Sequence, residues 1–300
     1  MNRNLAGTLL VLLSAGGYAF FSIFTKMAEA AGVPAFDLAV WRFILAAAIF
    51  WASFPFWRSR SGLDRLSRRD IVAMLLVGVL FTAAALTAFI GLATPISVST
   101  YTLLANTAPA MTALLLSVLG ERQPLWSWLA VGLAIGGSAL ILKDQLRAEN
   151  PIDLAWPIIN AVCVAVYYVA AQRTTRHIPG ITSGLFVVTG TFITLLAVGV
   201  VHGFSAPTSL AAWLPLLGIA LFSTVIGIAA WLGGMHYIGA ARASLISSAG
   251  PPATLLFAAL IFGEHLYPVQ YLGGALVVFS VVLVNVPGRA DPIVTAAPGE

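Results

Sequence analysis

The sequence predicts an all-α integral membrane protein with ten transmembrane helices, arranged as two inverted five-helix repeats. Of the 300 residues, 60% are hydrophobic and 9% are charged, and the mean hydropathy of +0.96 lies far outside the range of soluble domains. Residues 71–120 contain no Asp, Glu, Lys, Arg or His, and that stretch is too long for one membrane crossing. One segment near the middle of the chain recurs in similar form 143 residues later.

A membrane-spanning helix needs about 20 apolar residues, and Pro, Gly and charge clusters mark where a crossing ends. We therefore expect spans at 5–27, 36–56, 71–92, 97–119, 125–142, 154–174, 181–201, 214–236, 243–262 and 267–286. A β-barrel is excluded because these segments lack a period-two alternation. The first span is too long for the apolar core of a signal peptide, so we expect it to be retained.

These spans divide the chain into four parts. We expect a first transmembrane repeat at 1–142, an inter-repeat loop at 143–153, a second and inverted repeat at 154–286, and a cytoplasmic tail at 287–300. Lys and Arg are biased towards the side that holds the amino terminus, by eleven residues against three. That bias predicts a multi-pass protein of the cell inner (cytoplasmic) membrane with both termini in the cytoplasm.

The recurring segment is TAPAMTALLLSVLGE at 107–121 and GPPATLLFAALIFGE at 250–264. Pro109 corresponds to Pro252, and Gly-Glu closes both copies. Because each half crosses the membrane an odd number of times, the second copy has to be inverted. Inverted repeats place a binding site at their interface and support alternating access, which predicts a secondary transporter.

The run YIGAARASLISSAGPPATLLFAALIFGEHLYPVQYLGGALVVFSVVLV at 237–284 resembles the second repeat of EamA-type members of the drug/metabolite transporter superfamily. Lys26, Pro34 and Arg42-Phe43 agree with the first half of that family. The resemblance implies ten helices, with spans one, three, four, six, eight and nine around a central cavity and spans five and ten at the periphery. It also implies export of amino acids, other metabolites or drugs, and we favour an amino acid exporter that tolerates aromatic substrates.

Polar and aromatic side chains recur at helical spacing on those spans, which makes them candidates for a cavity lining. The substrate-binding candidates are Tyr18, Phe21, Ser22, Tyr101, Asn106, Asn160, Tyr167, Tyr168, Trp231, Ser244 and Ser248. Lipid offers such groups no hydrogen-bond partner, although contacts between helices would satisfy them as well as a cavity would. An aromatic lining with few hydrogen-bonding groups suits amphipathic solutes such as aromatic and branched amino acids.

Charged candidates are few. Lys26 and Arg42 are candidates for an anion-binding or gating role, and pairing with Glu29 or Asp37 is the alternative. No carboxylate relay for proton coupling is visible in the span interiors, which favours downhill export or facilitated exchange; a histidine or Lys26 as the proton carrier is the alternative. We expect a small-molecule substrate and the lipid bilayer as partners, no nucleic acid, no cofactor, no metal and a monomer.

Other functions leave recognisable patterns. Multidrug or other metabolite efflux is the alternative within the same class of transporters, although 5–27 lacks the acidic residue of small multidrug transporters. A membrane-embedded enzyme would need a catalytic constellation, but the four histidines have no metal-like spacing, and neither a G-x-S-x-G elbow nor a phosphate loop occurs. We therefore predict that the protein is not an enzyme.

Overall fold

The structure, a computed structural model, describes residues 3–92, 94, 101, 104–121, 123–142, 151–262 and 267–285. Within these ranges the chain is helical, with short turns between the helices. Most of the predicted inter-repeat loop, the tail at 287–300 and the carboxylate of Glu264 lie outside the described residues.

Every predicted span includes a helical segment among its described residues. The helices are α1 (Arg3–Ala30), α2 (Ala35–Trp57), α3 (Arg68–Leu92), α4 (Ala108–Val118), α5 (Leu125–Leu142), α6 (Ala155–Thr175), α7 (Gly180–His202), α8 (Leu210–Ile238), α9 (Ala240–Ser247), α10 (Gly250–Phe262) and α11 (Pro268–Asn285). Among the described residues, six helices are long and apolar enough to cross a membrane: α1, α2, α3, α6, α7 and α8.

The prediction of one continuous helix over 243–262 is wrong. A turn at Ser248 and Ala249 separates α9 from α10. The cause is Pro251-Pro252, because a proline lacks the amide hydrogen that the helix interior needs and is tolerated only in a first turn. A turn at Asn106 and Thr107 likewise precedes α4, where Pro109 stands in the first turn.

The last part of each half therefore has the same order of secondary-structure elements. A turn, a helix with proline in its first turn, and a helix of 18 residues follow one another in both. The turns and the starts of α5 and α11 are each offset by about the spacing of the sequence repeat, 143 residues.

The second helices of the two halves, α2 and α7, run antiparallel. At one end, the backbone amide and hydroxyl of Ser205, just after α7, donate to Asp37 Oδ2 in the first turn of α2 at 3.2 and 2.9 Å. Trp41 Nε1 donates to the Ser205 carbonyl at 2.9 Å. At the other end, Thr182 Oγ1 in the first turn of α7 donates to the carbonyl of Ser61, after α2, at 2.8 Å.

The last helices of the two halves, α5 and α11, also run antiparallel. A methyl group on Gly137 would meet Val277, whereas one on Gly273 would meet Ile141, so later residues of one helix face earlier residues of the other. Glycines at such a crossing let two helices approach closely in lipid. The main other neighbours of this pair are α4, α9 and α10, which agrees with a peripheral position.

The first helix of each half packs against the third helix of the other. Along α1 and α8, Gly7 lies against Ile238 and Gly17 against Phe222. Along α3 and α6, the side chain of Asn160 reaches the Ala84 carbonyl. These crossed pairs bring α1, α3, α6 and α8 together around one region of the bundle.

The middle of α8 is a π-helix at Ile219–Ile226, between α-helical parts at Leu210–Gly218 and Gly227–Ile238. Thr224 Oγ1 donates to the carbonyl five residues earlier, that of Ile219, at 3.2 Å. Ser223 Oγ donates to the Gly17 carbonyl of α1 at 2.8 Å. Wide turns of this kind are rare and frequently occur at functional sites.

Candidate functional site

A cavity of about 230 Å³ lies among α1, α2, α3, α6 and α8, with one wall residue just upstream of α4. Its volume is below the roughly 300–1,000 Å³ of drug-sized pockets, which suits a small metabolite. It is lined by Tyr18, Phe21, Arg42, Phe43, Phe81, Ala84, Ala85, Ala88, Tyr101, Asn160, Val164, Tyr167, Tyr168, Ile228 and Trp231.

One wall of the cavity is a continuous set of aromatic rings. Tyr168 stacks on Trp231 with ring centroids 4.0 Å apart and planes inclined by 20°. Tyr167 lies 6.0 Å from Trp231 and 4.6 Å from Phe81. Trp231 is held in place by a 3.0 Å hydrogen bond from its Nε1 to Ser247 Oγ. Such a wall offers flat apolar faces to a ring or a bulky alkyl group.

Arg42 is the charged residue of the described lining, and it is buried. Its Nε donates to Thr224 Oγ1 in the π-helical part of α8 at 2.7 Å. Its guanidinium carbon lies 4.8 Å from the ring centre of Phe21 and 5.1 Å from that of Phe43, and Tyr18 lies beside it. Its Nη2 is buried without a hydrogen-bond partner. The side chain is therefore fixed on one side and unsatisfied on the other.

Two further polar residues of the lining differ in whether their side chains already make hydrogen bonds. Asn160 donates from Nδ2 to the Ala84 carbonyl at 2.6 Å and to Thr87 Oγ1 at 3.2 Å, so its amide nitrogen ties α6 to α3. Tyr101 is buried, and its hydroxyl has no hydrogen-bond partner. A buried polar group without a partner is uncommon and calls for an explanation.

Most of the residues singled out from the sequence lie in this lining, whereas Asn106, Ser244 and Ser248 lie outside it. Those in the lining are Tyr18, Phe21, Arg42, Tyr101, Asn160, Tyr167, Tyr168 and Trp231. The side chains of Ser22 and Lys26 are outside the described part of the chain.

The serines of α9 are directed elsewhere. Ser244 Oγ donates to the Ala241 carbonyl of its own helix at 3.0 Å. Ser247 Oγ accepts a hydrogen bond from the Trp231 indole nitrogen. Because the Trp231 ring lines the cavity and Ser247 does not, this ring lies between α9 and the cavity. The resemblance placed span nine in the lining and left span two out. Among the described residues, α2 takes part instead, through Arg42 and Phe43.

The resemblance placed span three at the cavity, but no residue of α3 was among the candidates from the sequence. Phe81, Ala84, Ala85 and Ala88 line the cavity at the spacing of one helical face. The signal was the alanine run after Phe81, because small side chains on one face leave space beside a helix. Without polar groups, that face resembles any lipid-facing surface in a sequence.

The alternative in which Arg42 pairs with Asp37 is not what the structure shows. The Asp37 carboxylate accepts from Ser205, and no carboxylate of the described chain lies within 4.0 Å of the Arg42 guanidinium. In the described part of the chain, no group of His, Cys, Asp and Glu side chains has an arrangement that would hold a metal.

The chain has extensive similarity to known transporters. Residues 5–143 and 152–286 each match the EamA-like transporter family. The uncharacterized transporter YcbK of Bacillus subtilis is 29% identical over 291 residues, which cover 92% of this chain and 91% of the relative. A Streptantibioticus cattleyicolor protein named "Probable terminal-alkyne amino-acid exporter" is 31% identical over 192 residues, which cover 62% of this chain and 63% of that protein.

A solved crystal structure shares the fold. It superimposes with a TM-score of 0.77 over 92% of this chain and 95% of its own, at 18% sequence identity. The family and these named relatives are transporters, so the protein is a transporter and not an enzyme. With family matches over nearly its whole length and several apolar helices long enough to cross a bilayer, this multi-pass membrane protein belongs to the EamA-like transporter family.

Proposed function

We propose that the protein exports small amphipathic metabolites, foremost amino acids that include aromatic ones, by alternating access around the cavity. The observation that carries this proposal is the aromatic wall of Phe81, Tyr167, Tyr168 and Trp231 beside a single buried guanidinium. An amino acid has an apolar side chain for the first and a carboxylate for the second. The relative named as an amino-acid exporter supports the same substrate class.

Alternating access is proposed to arise from two inverted five-helix repeats, 1–142 and 154–286, joined by the loop 143–153 and followed by the tail 287–300. Two observations support the inversion. The corresponding helices α2 and α7, and likewise α5 and α11, run antiparallel. The first helix of each half packs on the third helix of the other, so each half makes an equivalent contact with its counterpart. Two equivalent halves can exchange conformations, as alternating access requires.

We propose the inner membrane as the location, with both termini in the cytoplasm. The Ser61–Thr182 hydrogen bond and the contact of His177 with Asp70, at 3.4 Å, join two connections at the same end of the bundle. These connections and the adjoining helix ends carry basic residues, namely Arg58, Arg60, Arg65, Arg68, Arg69, Arg173 and Arg176. Such a concentration is typical of the cytoplasmic side.

Downhill export or exchange is the proposed energetic mode, carried out by a monomer. Among the described lining residues, none is an Asp or a Glu. Asp37 is a buried carboxylate in α2, but it accepts two hydrogen bonds from Ser205 and lies outside the lining. No carboxylate of the described lining is therefore placed to carry a proton through the cavity.

Counterflow in proteoliposomes tests the proposal. The purified protein is reconstituted, the vesicles are loaded with unlabelled Trp, Phe or Thr, and uptake of the labelled amino acid is followed with and without an imposed pH gradient. We expect saturable counterflow of Trp and Phe that does not depend on the gradient. If no amino acid exchanges while a hydrophobic drug does, efflux of drugs or other metabolites replaces the proposed function.

A further inference from the structure

The geometry points to Arg42 as the binding group for a substrate carboxylate, an inference that deepens the proposed function and rests on it. We infer that the cavity selects organic carboxylates with an aromatic or bulky apolar group, and that the substrate's amino group contributes little to recognition. The carboxylate would sit on the Nη2 side of the guanidinium, with the apolar group against the aromatic wall.

Arg42 carries a buried charge that no described carboxylate pairs. Arg42 is 7% exposed and lies well inside α2, yet no described carboxylate is within 4.0 Å of it. A buried charge without a partner is strongly unfavourable, whereas a paired and hydrogen-bonded one is tolerated. Removing water from this cavity would therefore favour a ligand that brings its own negative charge.

Neighbouring side chains fix the orientation of the Arg42 guanidinium. Its Nε edge is occupied by Thr224 Oγ1, and the rings of Phe21 and Phe43 lie within cation–π distance of its carbon. These contacts fix the plane of the group and leave Nη2 free to donate. An arginine held in this way is organised in advance to receive a planar carboxylate.

The same lining holds a second hydrogen-bond donor without a partner. The Tyr101 hydroxyl is buried without a partner, and the residue as a whole is 7% exposed. Hydroxyl and guanidinium groups both donate hydrogen bonds to oxygen, so the two unsatisfied groups match an anionic oxygen ligand better than a cationic one.

The described lining offers no charged partner to the amino group of an amino acid. Among the described lining residues no Asp or Glu is present to pair with an ammonium group. Asn160 already uses its amide nitrogen to link α6 and α3, which leaves one neutral carbonyl oxygen. The cavity thus offers a full charge to the carboxylate, whereas the amine finds only neutral partners, namely this carbonyl oxygen and the ring faces of the aromatic wall.

A matched ligand series tests this inference on the unaltered protein. Phenylalanine, 3-phenylpropionate, phenylalaninamide and phenethylamine share one ring and differ in the carboxylate or the amine. We expect 3-phenylpropionate to compete with labelled phenylalanine within about threefold of phenylalanine itself. The amide and the amine should compete on the order of ten- to a hundredfold more weakly, because each lacks the charge-assisted bond. Equal competition by phenethylamine would overturn the inference.

Variants of Arg42 locate the effect. Arg42→Gln should reduce the preference for phenylalanine over phenylalaninamide to about threefold or less. The effect should appear as a higher KM for phenylalanine. Arg42→Lys should retain part of the preference, because a point charge remains without the planar fork. Arg173→Gln is the matched control, since Arg173 is exposed near the end of α6. If Arg42→Gln folds and still prefers phenylalanine tenfold, another group holds the carboxylate.

Thermal unfolding in detergent separates this inference from the proposed function. Absence of counterflow for every amino acid would overturn the proposed function alone. Stabilisation of the protein by 3-phenylpropionate and not by phenethylamine would still support the carboxylate site. Absence of stabilisation by either ligand, together with absence of competition, would overturn the site. The ligand series on the unaltered protein decides even if the Arg42 variants do not fold.

Discussion

Gly137 of α5 and Gly273 of α11 lie back to back, so that a methyl group on either would come within 2.6 Å of the other's carbonyl oxygen. That distance is shorter than real side-chain contacts, and the atom met is backbone, which cannot turn aside. Both glycines belong to a helix pair that contributes no residue to the described cavity lining. They therefore offer a test of the packing without direct effects on the substrate.

We expect Gly137→Ala and Gly273→Ala each to destabilise the protein by about 1–3 kcal/mol, the usual cost of overpacking. The measurement is the thermal unfolding midpoint in detergent. Gly136→Ala is the matched control, because nothing lies within 4 Å of its added methyl group and alanine favours a helix. A lower midpoint for Gly136→Ala than for Gly137→Ala would contradict the described crossing.

The double variant Tyr18→Ala with Tyr167→Ala should impair transport while the protein still inserts and purifies as a single species. Both rings line the cavity, and Tyr167 contacts Phe81 and Trp231. Their loss removes stacking surface, for which each aromatic contact contributes about 0.5–1.5 kcal/mol. We expect a rise of about tenfold in the KM for phenylalanine counterflow.

The matched control for that variant is Tyr267→Ala with Tyr271→Ala. These two tyrosines at the start of α11 are 68% and 62% exposed, so their truncation leaves the cavity intact. Transport unchanged by loss of Tyr18 and Tyr167 would exclude this cavity as the substrate path.

Asp37→Ala should weaken the connection between α2 and the segment that follows α7. The variant loses two hydrogen bonds to a charged acceptor and leaves Ser205 without its partner. A bond of this type contributes about 1.5–3 kcal/mol. Ser205→Ala should lower the free energy of unfolding by less, since the hydrogen bond from the backbone amide of residue 205 to Asp37 remains.

Thermal unfolding of the two variants beside Glu29→Ala measures the effect, because Glu29 is an exposed carboxylate close in sequence. Equal midpoints for Asp37→Ala and Glu29→Ala would show that this connection contributes nothing to stability.

Cysteine labelling should establish the orientation of the bundle. The native cysteine is replaced by Cys163→Ser, and Ala206→Cys or Arg176→Cys is added at an exposed position of opposite ends. Intact cells treated with an impermeant maleimide should label position 206, whereas position 176 should react only after permeabilisation. The reverse pattern would place the basic end outside and contradict the proposed topology.

Helix positions were largely predictable from the sequence, and for physical reasons. The fifth predicted span, 125–142, coincides with α5, because Pro124 and the polar run after Leu142 bound a segment without charged residues. The break inside span nine follows from Pro251-Pro252, whereas the length and hydropathy of 243–262 predicted one continuous span. Hydropathy measures how long a segment is, and not whether its hydrogen bonding is continuous.

The orientation of individual side chains was less predictable. Arg42 was expected near the end of its helix, yet α2 buries it in the cavity lining next to Thr224. Ser244 and Ser248 were assigned to the cavity as polar residues of span nine, but neither lies in the described lining, and Ser244 bonds to a carbonyl of its own helix. The residue type at a position does not determine which neighbour its side chain faces.

The wide turn in the middle of α8 has a geometric consequence. Successive residues of a regular helix are rotated by about 100° around its axis. Removing one residue from Ile219–Ile226 would restore ordinary winding and swing Gly227–Ile238 around by roughly that angle relative to Leu210–Gly218. Trp231 would leave Tyr168, and Thr224 would turn away from Arg42. The winding of α8 thus places the aromatic wall and the Arg42 guanidinium in the same cavity.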